Sequence, residues 1–344
     1  VILEAEPVAA PLVLALQRHI LRAGGHPHLL VTLPGQEAVY LAEANDAQLD
    51  FVPTFQLEAY QTFQARVRIH SASNTHDLGG ADEGRLAHRQ KALRPILQAQ
   101  MERGARGELR WLTTLFPTQA YAQDAGMGLA DYEAMFYAAC RVDSPSADPM
   151  QAWEAVRQTQ ASLIAALTGH DRVEVRGPDC DLSLSIQGRT FVNACGIHNM
   201  PDGEIYTSPV EDSIQGWVRY SYPTAWQGKE VEGVELRFEA GRVVQAKAQR
   251  NQAFLDRILE TDAGARHVGE FAIGTNPALP RATRQILLDE KIGGTFHMAL
   301  GAGYPETGSR NTSAIHWDMI CDLRRESEIR VDGEVVYRDG RFVP

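Results

Sequence analysis

Apolar residues recur along this chain at two spacings, helical in the first half and interrupted by strands, then alternating and strand-like in the second. From Pro7 to Gly24, Leu12, Val13, Leu16, Ile20 and Leu21 recur at helical spacing, and Gly24-Gly25 supplies a stop. His28 to Leu33 and Ala65 to His70 read as strands. A polar Ser/Asn/Gly stretch follows, one long helix is expected from Asp82 to Arg103, and Leu109 to Phe116 restores strand character. Strands separated by helices pair in parallel through crossovers, so this half is expected to form an open α/β layer. A further helix from Pro149 to Thr168 ends at Gly169, where the domain boundary is placed.

Beyond Gly169, the runs Asp171 to Val175, Asp181 to Ile186 and Thr190 to Asn193 are short, alternating and separated by Gly177-Pro178 and Gln187-Gly188, which predicts antiparallel hairpins. Alternation continues from Gly216 to Ala248, with a turn at Glu239 to Arg242. Helices are expected at Asn251 to Thr261 and Arg281 to Glu290, and the tail from Ile329 carries two Asp-Gly turns between alternating strands. The expected class is α/β plus α+β. An N-terminal open α/β domain with parallel strands spans residues 1–169, and a C-terminal, mainly antiparallel α+β metal-binding domain spans residues 170–344.

Composition narrows the function classes. The length of 344 residues suits about two domains, and 44% apolar with 22% charged residues is ordinary for a globular protein. A net charge of -11 leaves no basic excess to displace phosphate counterions, so nucleic acid is not an expected partner. No apolar run approaches the roughly 20 residues that cross a bilayer, and the opening residues lack a basic region followed by an apolar stretch, so no membrane association and a cytoplasmic setting are expected. Cys140, Cys180, Cys195 and Cys321 are scattered without a Cys-x-x-Cys pair and are expected to be reduced and buried. Nucleotide-binding glycine loops, a Gly-x-Ser-x-Gly elbow and a His-Glu-x-x-His helix are all absent.

The candidate chemistry lies in the last third, where Glu204, Glu270, His297, His316 and Asp318 make a hard oxygen and nitrogen donor set. His316 and Asp318 are two apart in an expected strand and so share a face. Glu270 stands in an apolar, small-residue run, where an unpaired charge costs several kcal/mol and calls for a partner, either a cation or an arginine. Glu204 follows a Pro201-Asp202-Gly203 turn, and Tyr304 follows His297 through a glycine-rich stretch, available as a phenol donor. Glu211 and Asp212 fit capping or supporting work, and His267 a surface or supporting place. Two histidines and three carboxylates exceed the needs of one structural zinc and fit a dinuclear site, in which two ions share a carboxylate and a water.

Several longer segments carry a resemblance: Asn199-Met-Pro-Asp-Gly-Glu-Ile-Tyr-Thr-Ser-Pro-Val-Glu-Asp-Ser, Gly269-Glu-Phe-Ala-Ile-Gly-Thr-Asn-Pro, Asp289-Glu-Lys-Ile-Gly-Gly-Thr-Phe-His-Met-Ala-Leu-Gly, Tyr304-Pro-Glu-Thr-Gly and Ser313-Ala-Ile-His-Trp-Asp. Here the chain resembles the aminopeptidase T and aminopeptidase S family of metallopeptidases, most closely from Asp171 onward and more loosely before it. The resemblance implies that Glu204, Glu270, His297, His316 and Asp318 hold two divalent metal ions, zinc, cobalt or manganese, with Tyr304 beside them. It also implies removal of N-terminal residues from peptides with a free N-terminus by a two-metal activated-water mechanism, in a homodimer. Glu270 is the candidate base if it is not committed as a ligand, and Tyr304 the candidate donor to the oxyanion. Two other readings stay open. His297, His316 and Asp318 alone match the two-His, one-carboxylate pattern of a mononuclear nonheme iron ring-cleaving dioxygenase of the 2,5-dihydroxypyridine type, and a noncatalytic peptide-binding metalloprotein could keep the same residues.

Overall fold

A computed structural model of the chain describes residues 1–144, 148–226 and 228–343, and by contact it divides into two compact units. The first comprises Val1–Leu129 with Ile197–Met200, and the second Ala130–Gly196 with Pro201–Pro344. The helices Leu129–Ala139 and Pro149–Leu167 precede Gly169, and apart from Leu129 they group with the second unit.

In the first unit five strands run in parallel in the order His28–Val31, Ile2–Ala5, Ala65–His70, Arg110–Leu115 and Asn199–Met200. This is the open α/β layer the pattern predicts. The opening strand Ile2–Ala5 was not expected, because a central parallel strand is covered on both faces and shows no alternation. Leu3 and Ala5 pack with Ala9, Val13 and Ile69 on one face, and Ile2 with Tyr60, Ile96 and Leu109 on the other. The single helix expected from Asp82 to Arg103 is instead two, Glu83–Ala92 and Arg94–Ala105. Pro95 has no N–H to continue the first helix, and its ring would meet the carbonyl four residues back.

The second unit stacks two antiparallel sheets. One has eight strands in the order Arg242–Lys247, Glu235–Glu239, Gln215–Arg219, Cys180–Ser185, Arg172–Gly177, Glu328–Val331, Glu334–Arg338 and Arg341–Phe342. The other has five, in the order His316–Asp322, Thr295–Gly301, Val268–Gly274, Glu204–Thr207 and Val192–Ala194. Their facing residues, among them Val175, Leu182, Leu236, Phe271, Phe296, Met298, Trp317 and Met319, form one apolar core. Both tail hairpins turn where expected, with Asp332 and Gly333 at φ 49° and 91° and Asp339 and Gly340 at 47° and 81°, the left-handed pair such a turn demands. Gln227, inside the alternating stretch from Gly216, lies outside the described residues. The helix expected at Arg281 to Glu290 is only Ile286–Asp289. Arg284 sits at φ 64°, and the Asp289 carboxylate accepts from the backbone N–H of both Thr283 and Arg284, folding the preceding residues into a loop.

Candidate metal centre

The five-stranded sheet has one apolar face and one face that carries the donor set. Along His316–Asp322, Trp317, Met319 and Cys321 enter the core, so His316 and Asp318 point the other way. In register, His297 stands opposite Ala272 and Ile320, Asp318 opposite Ala299, and His316 opposite Gly301. Glu270 is paired with Ala299, and Glu204 with Gly274. Thus each large donor has a small residue opposite it on at least one neighbouring strand, which leaves room for an ion between the side chains.

A bulge aims Glu270. Val268 pairs with Leu300 in the core, and strict alternation would send Glu270 there too. The extra residue, Gly269, reverses the parity so that Glu270 joins the donor face. Only glycine fits, since a β-carbon there would collide with the carbonyls of Ala302 and Gly301. Ser208 Oγ donates to the Gly269 carbonyl at 2.5 Å and lies 2.6 Å from Thr307 Oγ1, which donates to the Tyr304 carbonyl at 2.6 Å. The bulge and the Tyr304 loop are therefore tied together.

All five expected donors converge. Glu270 lies between the two histidines, Oε1 3.6 Å from His297 Nε2 and Oε2 3.3 Å from His316 Nε2. Glu204 Oε2 is 3.4 Å from His297 Nε2, and Asp318 Oδ2 is 3.6 Å from His316 Nε2. Donor atoms of Glu204, Glu270 and His297 lie within 4.8 Å of one another, as do those of Glu270, His316 and Asp318, so Glu270 is common to two triads. Among the described residues no arginine pairs with Glu270; the ion-pair partners found there are the two rings.

Electrostatics favour a cation here. Glu204 Oε2, both ring nitrogens of His297 and Asp318 Oδ1 are buried without a hydrogen-bond partner among the described residues. Leaving such groups unmatched costs several kcal/mol, and a divalent ion bound by these hard donors would satisfy them. Burial pushes the Glu204 and Asp318 carboxyls up. Burial also acts on Glu270, but the neighbouring histidines hold it well below the usual carboxylate range. The rings answer in kind. Against burial, Glu270 and Glu204 raise His297 to about 9, and Asp318 and Glu270 raise His316 to about 10. His316 Nδ1 is 2.8 Å from the Ala302 carbonyl, which leaves Nε2 directed at the carboxylates.

Residues that the pattern did not single out complete the surroundings. Lys291 is buried, with Nζ 2.6 Å from both Glu204 Oε1 and Glu290 Oε1 and 3.8 Å from Asp202 Oδ1. Glu290 forms a third triad with His297 and Asp318, again within 4.8 Å. In sequence Glu290 closes the helix expected from Arg281, and no pattern singles out either Glu290 or Lys291. Gln160, buried on the helix Pro149–Leu167, donates to the Glu204 carbonyl at 3.0 Å and fixes the start of that strand. Tyr304 meets His316 edge to face, ring centroids 5.3 Å apart, and lies tilted against Tyr206 at 5.2 Å. Glu211 lies apart from the donor set, paired with Arg189 at 2.6 Å and Arg310 at 3.1 Å; Asp212 is exposed, and His267 Nδ1 lies 3.3 Å from the Glu211 carbonyl. All four cysteines are free and buried. Among the described residues no helix is long and apolar enough to cross a membrane.

Known proteins resemble the chain over most of its length. The family described as thermophilic metalloprotease (M29) matches residues 1–342. Aminopeptidase T of Thermus thermophilus is 28% identical, the match covering 88% of this chain and 81% of the relative. Aminopeptidase AmpS of Bacillus subtilis is 26% identical over 86% of this chain and 79% of its own. Among solved structures, wild-type AmpT from Thermus thermophilus superposes with a TM-score of 0.86 at 24% identity, covering 100% of this chain and 94% of that one. The 2,5-dihydroxypyridine dioxygenase of Pseudomonas putida KT2440 has a TM-score of 0.57 at 14% identity, covering 99% and 91%. These two structural likenesses speak to the fold.

Proposed function

The chain belongs to the thermophilic metalloprotease (M29) family, and on that premise we propose that it is a metal-dependent aminopeptidase that removes residues from the free N-terminus of peptides. The observation that carries this reading is the position of Glu270 between two histidines, one carboxylate oxygen toward each, at the meeting of two donor triads.

Glu204, Glu270 and His297 would hold one divalent ion, and Glu270, His316 and Asp318 a second, with zinc, cobalt or manganese the expected metals. When bound, such a pair lowers the pKa of water and stabilises negative charge developing on a carbonyl oxygen. The chain's own groups then orient the reaction. Lys291 and Gln160 keep Glu204 in place, the Ala302 carbonyl orients His316, and the Tyr304 hydroxyl is proposed to donate to the carbonyl oxygen of the scissile bond. Glu270, common to both triads, would contribute to holding each ion. Glu204 and Glu270 also weigh against the one-iron dioxygenase reading, which needs neither. A cytoplasmic setting goes with the four unpaired thiols, and a homodimer with the family resemblance; light scattering at micromolar protein checks the latter.

The test is elemental analysis of bound metal per chain, followed by hydrolysis of leucyl p-nitroanilide and of a short free-amine peptide with zinc, cobalt or manganese restored. About two ions per chain and cleavage that stops when the amine is acetylated support the proposal. One iron per chain with no cleavage overturns it.

A further inference from the structure

We infer that the first unit holds a binding site for a free α-amino acid with an aliphatic side chain, in a cleft at the carboxyl ends of its parallel strands. The chain leaves Ile2–Ala5 toward one edge of the sheet and returns to add Ala65–His70 on the other side, so these two strands form a topological switch point. In open sheets of this kind, ligands bind in the crevice outside the carboxyl ends of such strands. Here the crevice is a cavity of about 310 Å³, at the small end of the range for small-molecule sites, with Glu4, Glu6, Leu30, Arg68, His70 and Ala72 in its lining. Its residues break the rule for central parallel strands, which are ordinarily apolar on both faces. Leu3, Ala5 and Ile69 keep the rule on one face. On the other, Glu4 stands in register beside Arg68, and Glu6 and His70 follow two residues later along the two strands. Charged groups in so costly a place are expected where a ligand must be met.

What these groups have left to offer is dipolar. Arg68 donates through Nε to Glu4 at 2.7 Å and through Nη2 to the Tyr60 hydroxyl at 3.2 Å. Among the described residues no hydrogen bond uses its Nη1, and its side chain is 43% exposed. Arg66, with Nε 3.6 Å from Glu4, adds a second positive charge against that one carboxylate. Glu6 is half-buried, accepts only from the Ser73 N–H, at 3.4 Å, and has no ion-pair partner among the described residues; burial raises its carboxyl. Surplus positive charge at Arg68 and surplus negative charge at Glu6, in one cleft, match a zwitterion: the α-carboxylate accepts from Arg68 and the α-ammonium donates to Glu6. Leu30 and Ala72 give the ligand's side chain an apolar wall. Phosphate ligands do not fit, since Glu6-Pro7 and Ser71-Ala72-Ser73 follow the two strands in place of a glycine-rich loop. The assignment rests on the charges of the cleft and not on the aminopeptidase reading, although that reaction would release ligands of this class.

The experiment titrates the full chain by calorimetry with L-leucine, with N-acetyl-L-leucine, which lacks the ammonium, and with L-leucinamide, which lacks the carboxylate. L-leucine is expected to bind, and each analogue to bind about tenfold more weakly or worse, having lost one charge-assisted contact. Glu6→Gln should weaken L-leucine by about 10- to 100-fold and leave N-acetyl-L-leucine unchanged, because the acetylated compound never used the Glu6 carboxylate. Thermal unfolding confirms that the variant is folded, and the two analogues test the same contacts on the wild-type protein. Glu204→Ala, titrated alongside, should bind L-leucine in this cleft as the wild type does. Loss of L-leucine binding in Glu204→Ala would place the amino acid at the metal centre instead. Equal affinity for L-leucine and its acetylated form would make the cleft a bare anion site. Either result overturns the proposal, as does unchanged affinity in Glu6→Gln or no binding at millimolar L-leucine. Wild-type protein inactive with every metal would remove the aminopeptidase reading and leave these titrations to decide the cleft on their own.

Discussion

In the parallel sheet of the first unit the buried Glu4 is answered by protein alone, with Arg68 Nε at 2.7 Å, Arg66 Nε at 3.6 Å and the Tyr60 hydroxyl donating to its other oxygen. On the donor face of the second unit, Glu204, Glu270 and Asp318 meet two histidines and one lysine, and buried atoms of Glu204, His297 and Asp318 are left without hydrogen bonds. Both regions bury carboxylates, which is costly without compensation. Positive charge is built into the first by two arginines. In the second, part of it is left to be supplied from outside, which is the difference between a structural ion cluster and a centre able to take up a cation.

The largest effect expected from breaking this contrast is at the donor face. Glu204→Ala or His316→Ala should lose bound metal and peptidase activity together, and full activity in either variant would remove that residue from the centre. In the first unit, Glu4→Gln leaves the buried Arg66 without its countercharge and should destabilise the protein by about 3 kcal/mol. Urea unfolding with and without chelator checks this, since the loss should be the same in both; a chelator-dependent loss would erase the distinction between the regions. Tyr304→Phe should keep its metal and lower kcat by about 10²-fold, the cost of one donor to developing negative charge. Metal lost in that variant would instead move Tyr304 among the ligands.

The smallest effect expected, counted per pH unit and per proton, is on metal affinity. Without metal, His297 and His316 are held protonated up to about 9 and 10, whereas a ligand ring must be neutral. Binding near neutral pH therefore releases protons, and affinity should rise with pH, on the order of tenfold per unit for each proton displaced. Calorimetry in buffers of different ionisation enthalpy counts those protons. Affinity independent of pH between 6 and 8 would show that the rings are already neutral and that the donor face is less charged than described.

The shared face of His316 and Asp318 could be read from the chain because they lie in an alternating run whose neighbours mark the core side, whereas strict alternation would have sent Glu270 into the core. Trp317 and Met319 tell where His316 and Asp318 point. Lys291 and Gln160 gave no such sign, since each matters through a partner far away in the chain: Lys291 reaches Glu204, and Gln160 the carbonyl of the same residue. The opening strand escaped the pattern because burial on both faces removes alternation, and the split helix shows that a single Pro95 outweighs a favourable periodicity.

Local order was thus determined by the sequence itself: parallel strands with helices between them first, antiparallel hairpins afterwards, the Asp-Gly turns, and the candidates for the hard donors. Only the tertiary structure decided that Gly269 forms a bulge turning Glu270 out of the core, and that Lys291 occupies one oxygen of Glu204 while leaving the other to a cation. The physical reason is range. Periodicity and turn chemistry act over a few residues, whereas register, charge balance and the freedom of a carboxylate oxygen depend on groups from separate strands brought within a few ångströms.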